Sequence, residues 1–162
     1  MIVLVLGGAR SGKSTHAERL AAGLDQPVTY LATAAVTDPD FAARVEHHRA
    51  RRPKGWSTVE TGAGLAAAVR DTRGTVLIDS LGTWVAQLPG FAVDEAELCA
   101  ALTGRSGDTV VVSEEVGMGV HPATEAGRQF RDALGALNQA VAAIADRALL
   151  VVAGRPLLLG EG

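Results

Sequence analysis

The sequence has little of several features that define other classes of protein. Cys99 is the only cysteine in 162 residues, so one chain can form neither an internal disulfide nor a cluster of thiolate metal ligands. We interpret it as a buried small hydrophobe rather than a catalytic thiol. Aromatic residues make up only 4% of the chain. The core must therefore be built mainly from Ala, Val and Leu.

Strong charge and long apolar runs are also missing. The formal net charge of −3 gives no reason to expect nucleic acid or an anionic membrane as a partner. No run reaches the roughly 18 apolar residues that a membrane-spanning helix needs, so we expect no membrane insertion. The apolar run 2–6 is too short for a signal-peptide core and has no basic residue before it. These observations predict a cytoplasmic protein.

What is present is an alternation of buried-strand runs and helical patterns. Continuous β-branched runs such as Ile2 to Leu6 are typical of strands covered on both faces, as in parallel sheets. The alternation predicts an α/β fold, in which a mostly parallel central sheet is flanked by helices within a single domain, 1–162. Strands are expected at 2–6, 28–32, 75–78, 109–112 and 149–152, the last closing the series, and helices at 13–24, 41–52, 95–102 and 125–145.

The first strand and the first helix enclose a phosphate-binding motif. The segment reads Gly7, Gly8, Ala9, Arg10, Ser11, Gly12, Lys13 and Ser14, which matches G-x-x-x-x-G-K-[ST]. Glycines let several backbone N–H groups face one phosphate, and the helix that begins there adds its positive dipole end. We assign Lys13 to the β- and γ-phosphates and the Ser14 hydroxyl to Mg²⁺. The fold is therefore predicted to be a P-loop NTPase-like domain.

Such a loop needs an acidic residue at a nearby strand end to hold the metal. Asp79 follows the apolar run Val76 to Ile78 and is our candidate. The alternative is that Asp79 only caps the following helix.

A second segment combines histidines with arginines. It runs from Arg44 to Lys54 and contains the pair His47 and His48. An isolated charge run of this kind is usually a solvated helix face. Beside a phosphate loop, guanidinium groups match phosphate oxygens, and neutral imidazole is a competent nucleophile toward phosphorus. Adjacent helical residues project about 100° apart, so one histidine would face the site, and physics alone does not choose between them.

Several blocks taken together resemble a known family, the bifunctional adenosylcobinamide kinase/adenosylcobinamide-phosphate guanylyltransferases of cobalamin biosynthesis. The resemblance covers nearly the whole chain. Besides the phosphate loop, it rests on segments 30–34, 44–49, 52–53, 56–60, 115–120 with Pro122, 130–132, 137–139 and 145–146.

The resemblance implies two reactions. A nucleoside triphosphate, ATP or GTP, phosphorylates the aminopropanol hydroxyl of adenosylcobinamide. GTP then transfers GMP to an enzyme histidine, matched here by His47, and the cobinamide phosphate takes the GMP to give adenosylcobinamide-GDP. The family also implies a homo-oligomer, a trimer whose neighbouring subunits help to form the site. Further nucleotide contacts are implied for Ala32, Thr33, Ala34, His48, Arg49, Ala50, Arg51, Glu60 and Asp79.

Two positions depart from the family pattern. Glu114 stands where the family usually has Asn, and a carboxylate near phosphates repels them unless it points to metal or solvent. His121 replaces a usual aliphatic residue, and we interpret it as a surface substitution.

Two other functions are compatible with parts of this pattern. A small-molecule kinase would use the same loop without guanylyl transfer, and it would not release pyrophosphate from GTP. A regulatory nucleotide-binding module would bind a triphosphate without turning it over.

Overall fold

The computed structural model describes residues 1–34, 53 and 55–160. The predicted helix at 41–52 therefore lies outside the described residues. Within the described part of the chain, no helix is both long and apolar enough to cross a membrane.

Seven strands form one sheet whose order is β3-β2-β4-β5-β1-β6-β7. The strands are β1 (Ile2–Gly7), β2 (Val28–Ala32), β3 (Ser57–Glu60), β4 (Thr75–Asp79), β5 (Thr109–Glu114), β6 (Arg147–Val152) and β7 (Arg155–Leu159). All neighbouring pairs are parallel except β6 with β7. The predicted α/β class with a mostly parallel sheet is confirmed.

Five α-helices in the described part connect these strands. They are α1 (Lys13–Ala22), α2 (Leu65–Asp71), α3 (Leu81–Val85), α4 (Glu95–Gly104) and α5 (Glu125–Ile144), with a short 3₁₀ turn at Pro89–Phe91. Side-chain caps explain where several begin, because Asp94 accepts from Glu97 N–H and Thr124 accepts from Gly127 N–H. The predicted helices at 95–102 and 125–145 are confirmed to within about two residues.

The sheet is buried on both faces, as its continuous apolar strands predict. On one face α1 packs through Ala17 and Ala21 against Val5 and its neighbours. On the other face α5 contributes Leu134, Leu137 and Val141 to a larger core around Leu4. The carboxyl ends of the parallel strands therefore share one edge between these two helical layers, and polar side chains at the strand ends meet there.

The last part of the chain corrects one prediction. The strand at 149–152 does not close the series, because β7 follows and pairs antiparallel with β6. Ala153 and Gly154 make the connection with φ of 51° and 75°, the left-handed values that a tight two-residue hairpin requires. The exposed leucines of β7 follow no alternating pattern, so periodicity did not reveal this strand.

Candidate active site at the phosphate loop

The phosphate loop connects β1 to α1 and is supported by the β6–β7 hairpin. Gly12 has a φ of 93°, and a Cβ at this position would lie 3.1 Å from Gly154 Cα. The Gly154 N–H donates to the Ser11 carbonyl at 2.7 Å. A glycine at position 12 is therefore required both by backbone conformation and by the close approach of the hairpin.

Lys13 lies at the first position of α1 with its side chain only 11% exposed. Its ammonium donates to the Gly8 carbonyl at 3.5 Å and lies 3.4 Å from Glu114 Oε1. The charge is thus folded back over the loop, at the positive end of the helix. This arrangement suits an anion bound between the loop backbone and the lysine.

Asp79 ends β4 and faces Ser14. The Ser14 hydroxyl donates to Asp79 Oδ1 at 3.2 Å, and the Tyr30 hydroxyl donates to Oδ2 at 2.9 Å. Helix α3 is capped by Ser80, which accepts from Thr83 N–H, so Asp79 is not merely its cap. Oxygen ligands of this kind fit Mg²⁺, which binds through one or two protein oxygens together with phosphates and waters.

The same edge of the sheet carries three other predicted positions: Ala32 at the end of β2, Thr33 directly after it, and Glu60 at the end of β3. Ala32 is in register with both Asp79 and Glu60. Thr33 is fully buried, and its hydroxyl donates to the Ser80 carbonyl at 2.7 Å. Its own carbonyl accepts a hydrogen bond from the Gln87 side chain.

The edge does not bring all of these residues to the phosphates. Asp79 lies two strand spacings from β1, roughly 10 Å, whereas the exposed Glu60 lies four spacings away, roughly 19 Å. Ala34 is half-buried just beyond Thr33. His47, His48, Arg49, Ala50 and Arg51 lie outside the described residues.

Sequence reasoning missed two residues that hold the site together. Tyr30 is 4% exposed, and its hydroxyl donates a hydrogen bond to Asp79. In the sequence Tyr30 belongs to the apolar run of a buried strand, and its hydroxyl is the one feature that indicates a further role. Glu114 departs from the family pattern, but its ion pair with Lys13 depends on β5 lying next to β1, which the sequence order does not reveal.

Two titratable side chains, His16 on α1 and Cys99 on α4, have shifted pKa values. Burial lowers the pKa of His16 in the first turn of α1, and Arg19 and Arg147 lower it further. Burial also raises the pKa of the Cys99 thiol, with Glu95 adding to the effect. Both shifts favour the neutral form, so neither side chain brings a charge to the site at neutral pH.

Comparison with known proteins identifies the family. The family model described as cobinamide kinase/cobinamide phosphate guanyltransferase matches residues 3–159. The chain belongs to this family. It is 41% identical over 168 residues to the bifunctional adenosylcobalamin biosynthesis protein CobP of Pseudomonas aeruginosa, covering 98% of this chain and 97% of that protein. It is 38% identical to CobU of Escherichia coli, covering 95% and 97%. The family predicted from the sequence is confirmed, and with it the enzyme class.

Solved structures with low sequence identity share the fold of this cobinamide kinase/guanylyltransferase family member. An ATPase from the type III secretion system of pathogenic bacteria matches with a TM-score of 0.59 and 13% identity, over 92% of this chain and 50% of that one. The flagellar accessory protein FlaH from Methanocaldococcus jannaschii matches with a TM-score of 0.56 and 13% identity, over 98% and 77%. These likenesses support the predicted P-loop NTPase-like architecture.

Three of the family blocks beyond the phosphate loop, 115–120, 130–132 and 137–139, contribute residues to one concave surface. A cavity of about 300 Å³ lies beside the end of β1, on the face of the sheet that α5 covers. It is lined by Leu6, Glu115, Val116, Gly117, Arg131, Gly135, Asn138, Gln139 and Ala142. His121 is exposed and its Nδ1 lies 3.0 Å from an Arg131 nitrogen, in agreement with a surface substitution.

Proposed function

We propose that the chain performs both family reactions, the phosphorylation of adenosylcobinamide and the transfer of GMP to its phosphate. The observation that carries this proposal is the meeting of Lys13, Ser14 and Asp79 at the carboxyl edge of the sheet, in a chain of this family. A charge at the loop and two oxygen ligands beside it are what a bound Mg²⁺–triphosphate needs.

In the kinase reaction, Lys13 and the loop N–H groups bind the β- and γ-phosphates. The acceptor hydroxyl releases its proton to solvent and its oxygen forms a bond to the γ-phosphorus. The bond between the γ-phosphorus and the oxygen that bridges to the β-phosphorus breaks, so the nucleoside diphosphate leaves. The chain's contribution is to orient the triphosphate and to stabilise the charge that develops on the departing diphosphate. Mg²⁺, held by Ser14 and Asp79, would add charge neutralisation at the phosphate oxygens.

In the transferase reaction, His47 is the nucleophile. Its ring nitrogen forms a bond to the α-phosphorus of GTP and pyrophosphate leaves, which gives a phosphoramidate. An oxygen of the cobinamide phosphate then displaces the histidine and takes the GMP. His48, Arg49, Ala50 and Arg51 are assigned to nucleotide binding in this step, as are Ala32, Thr33, Ala34 and Glu60.

The positions of Glu60 and Thr33 indicate which part of the nucleotide each would contact. Since Glu60 lies four strands from the loop, it would meet a part of the nucleotide remote from the phosphates held by Lys13. The Thr33 hydroxyl donates to the Ser80 carbonyl, so Thr33 would contact the nucleotide through its backbone.

We propose a homo-oligomer as the active form, a trimer by family resemblance. Exposed apolar side chains on the β6–β7 hairpin support this proposal, since such side chains are typical of surfaces that bind another protein. Val152, Leu157 and Leu158 are each 60% exposed. A cytoplasmic location stays a prediction.

Product analysis tests the function. The protein is incubated with adenosylcobinamide, Mg²⁺, ATP and GTP, and the corrinoids are separated by chromatography. We expect the phosphate first and adenosylcobinamide-GDP later, together with pyrophosphate from GTP. Lys13→Ala should reduce the kinase rate at least a hundredfold if the ammonium stabilises the transferring phosphoryl group, about 3 kcal/mol. Arg19→Ala, an exposed cation on the same helix, is the matched control.

Other outcomes would contradict the proposal. Phosphorylation without pyrophosphate release would leave a small-molecule kinase. Triphosphate binding without any product would leave a nucleotide-binding module. An active Lys13→Ala protein would place the phosphates somewhere other than this loop.

A further inference from the structure

Glu114 lies between the phosphate loop, which follows β1, and Asp79 at the end of β4. It ends β5, which lies between β1 and β4 in the sheet. Its Oε1 is 3.4 Å from Lys13 Nζ, and the two side chains are 26% and 11% exposed. The sequence predicts that this carboxylate repels phosphates. In the structure the same carboxylate also forms an ion pair with Lys13.

The carboxylate is held in place from its other side. The Ser80 hydroxyl lies 2.9 Å from both carboxylate oxygens, and the Gly82 N–H donates to Oε2 at 3.0 Å. A Cβ at Gly82 would lie only 2.1 Å from Oε2, so the approach of the carboxylate requires glycine there. The backbone is fixed too, because the Asn138 side chain donates to the Glu114 carbonyl at 3.1 Å. The negative charge therefore has a defined place next to the ammonium.

We propose that Glu114 is a built-in counter-anion for Lys13, which competes with the β- and γ-phosphates and thereby sets the affinity of the loop for nucleotides. The inference rests on the assignment of Lys13 to phosphate binding. Without nucleotide, the ammonium already has an anionic partner. A phosphate that reaches Lys13 must replace or share that partner, and it also meets the repulsion of a carboxylate a few ångströms away.

This competition has a use in a two-step enzyme. The loop must release a diphosphate nucleotide after one reaction and pyrophosphate after the other. Binding that is equally strong in the ground state and the transition state does not raise turnover, and tight binding of products slows it. A fixed carboxylate weakens ground-state binding of every ligand that reaches Lys13. It does not change the affinity for ligands that lack β- and γ-phosphates and therefore do not reach Lys13.

Isothermal titration of the full-length protein in Mg²⁺ buffer with ATP, ADP and AMP tests the proposal. Glu114→Gln keeps the shape and can still accept a hydrogen bond from Ser80 or Gly82, but it removes the charge. We expect its dissociation constants for ATP and ADP to fall about threefold to tenfold, and the constant for AMP to stay unchanged. Glu115→Gln is the matched control, since that neighbouring carboxylate accepts from the Gly117 and Met118 N–H groups. It should leave all three constants unchanged.

Unchanged or weaker ATP binding by a Glu114→Gln protein of wild-type thermal stability would overturn the proposal. If unchanged ATP binding were accompanied by a large loss of the kinase turnover number, Glu114 would instead be the acceptor of the substrate proton. Glu114→Asn provides a second variant should the glutamine protein fail to fold. Lys13→Ala distinguishes a failure of the loop assignment from a failure of the counter-anion role of Glu114. If it binds ATP as wild type does, the loop assignment fails; if it binds more weakly while Glu114→Gln shows no tightening, only the counter-anion fails.

Discussion

The buried pair Ser113–Asn138 yields a prediction whose size follows from the structure. Asn138 on α5 is 8% exposed and Ser113 on β5 is fully buried. The Ser113 hydroxyl donates to Asn138 Oδ1 at 2.6 Å, and Asn138 Nδ2 donates to the Glu114 carbonyl. In Asn138→Ala both groups lose this partner, at about 1–3 kcal/mol for each buried polar group left unsatisfied. We expect the free energy of unfolding to fall by about 3 kcal/mol.

Urea and thermal unfolding followed by circular dichroism measure this loss. For a domain of this size, about 3 kcal/mol corresponds to a fall of about 6–12 °C in Tm. Gln139→Ala is the control. Gln139 is the exposed neighbour of Asn138 on the same helix, so its replacement should change the free energy of unfolding by less than about 0.5 kcal/mol. Ser113→Ala combined with Asn138→Ala should cost less than the sum of the single changes, by about 1 kcal/mol. A loss below about 1 kcal/mol in Asn138→Ala would refute the reasoning.

Two further predictions concern the site and the free thiol. Tyr30→Phe removes the hydroxyl that donates to Asp79 and should lower the free energy of unfolding by about 1–2 kcal/mol at pH 7 in urea denaturation; a change below about 0.5 kcal/mol would contradict that role. The raised pKa of Cys99 keeps the thiol protonated to higher pH, so its alkylation by iodoacetamide at pH 8 should be slower than that of free cysteine. An equal or faster rate would show that the thiolate is not disfavoured.

The buried part of the fold is predictable from sequence because its signals are strong. The runs ending at Gly7 and Asp79 are covered on both faces, so their continuous hydrophobicity alone indicates parallel strands. The exposed strand β3, Ser57–Glu60, escapes detection because all four residues face solvent at the sheet edge and carry no alternation. Short helices such as α3, Leu81–Val85, give too few turns for a helical period to show.

The site likewise has a part that the sequence predicts and a part that only the structure reveals. The phosphate loop is predictable because its residues are contiguous and each has a mechanical reason to be there. The partners of that loop are not contiguous. Tyr30 reaches Asp79 from the neighbouring strand, and Glu114 reaches Lys13 only because β5 is inserted between β1 and β4. Strand order is a property of the assembled sheet, so side chains that meet across it require the structure.

We propose above that GMP is transferred by way of a covalent adduct with His47, and one labelling measurement tests this most directly. The protein is incubated with Mg²⁺ and GTP labelled on the α-phosphate, denatured, and examined for protein-bound label. We expect an acid-labile, alkali-stable adduct, as a phosphoramidate requires, that is retained in His48→Ala and lost in His47→Ala. Wild-type protein that binds GTP but takes up no label, or a His47→Ala protein that is labelled as strongly, would contradict the account.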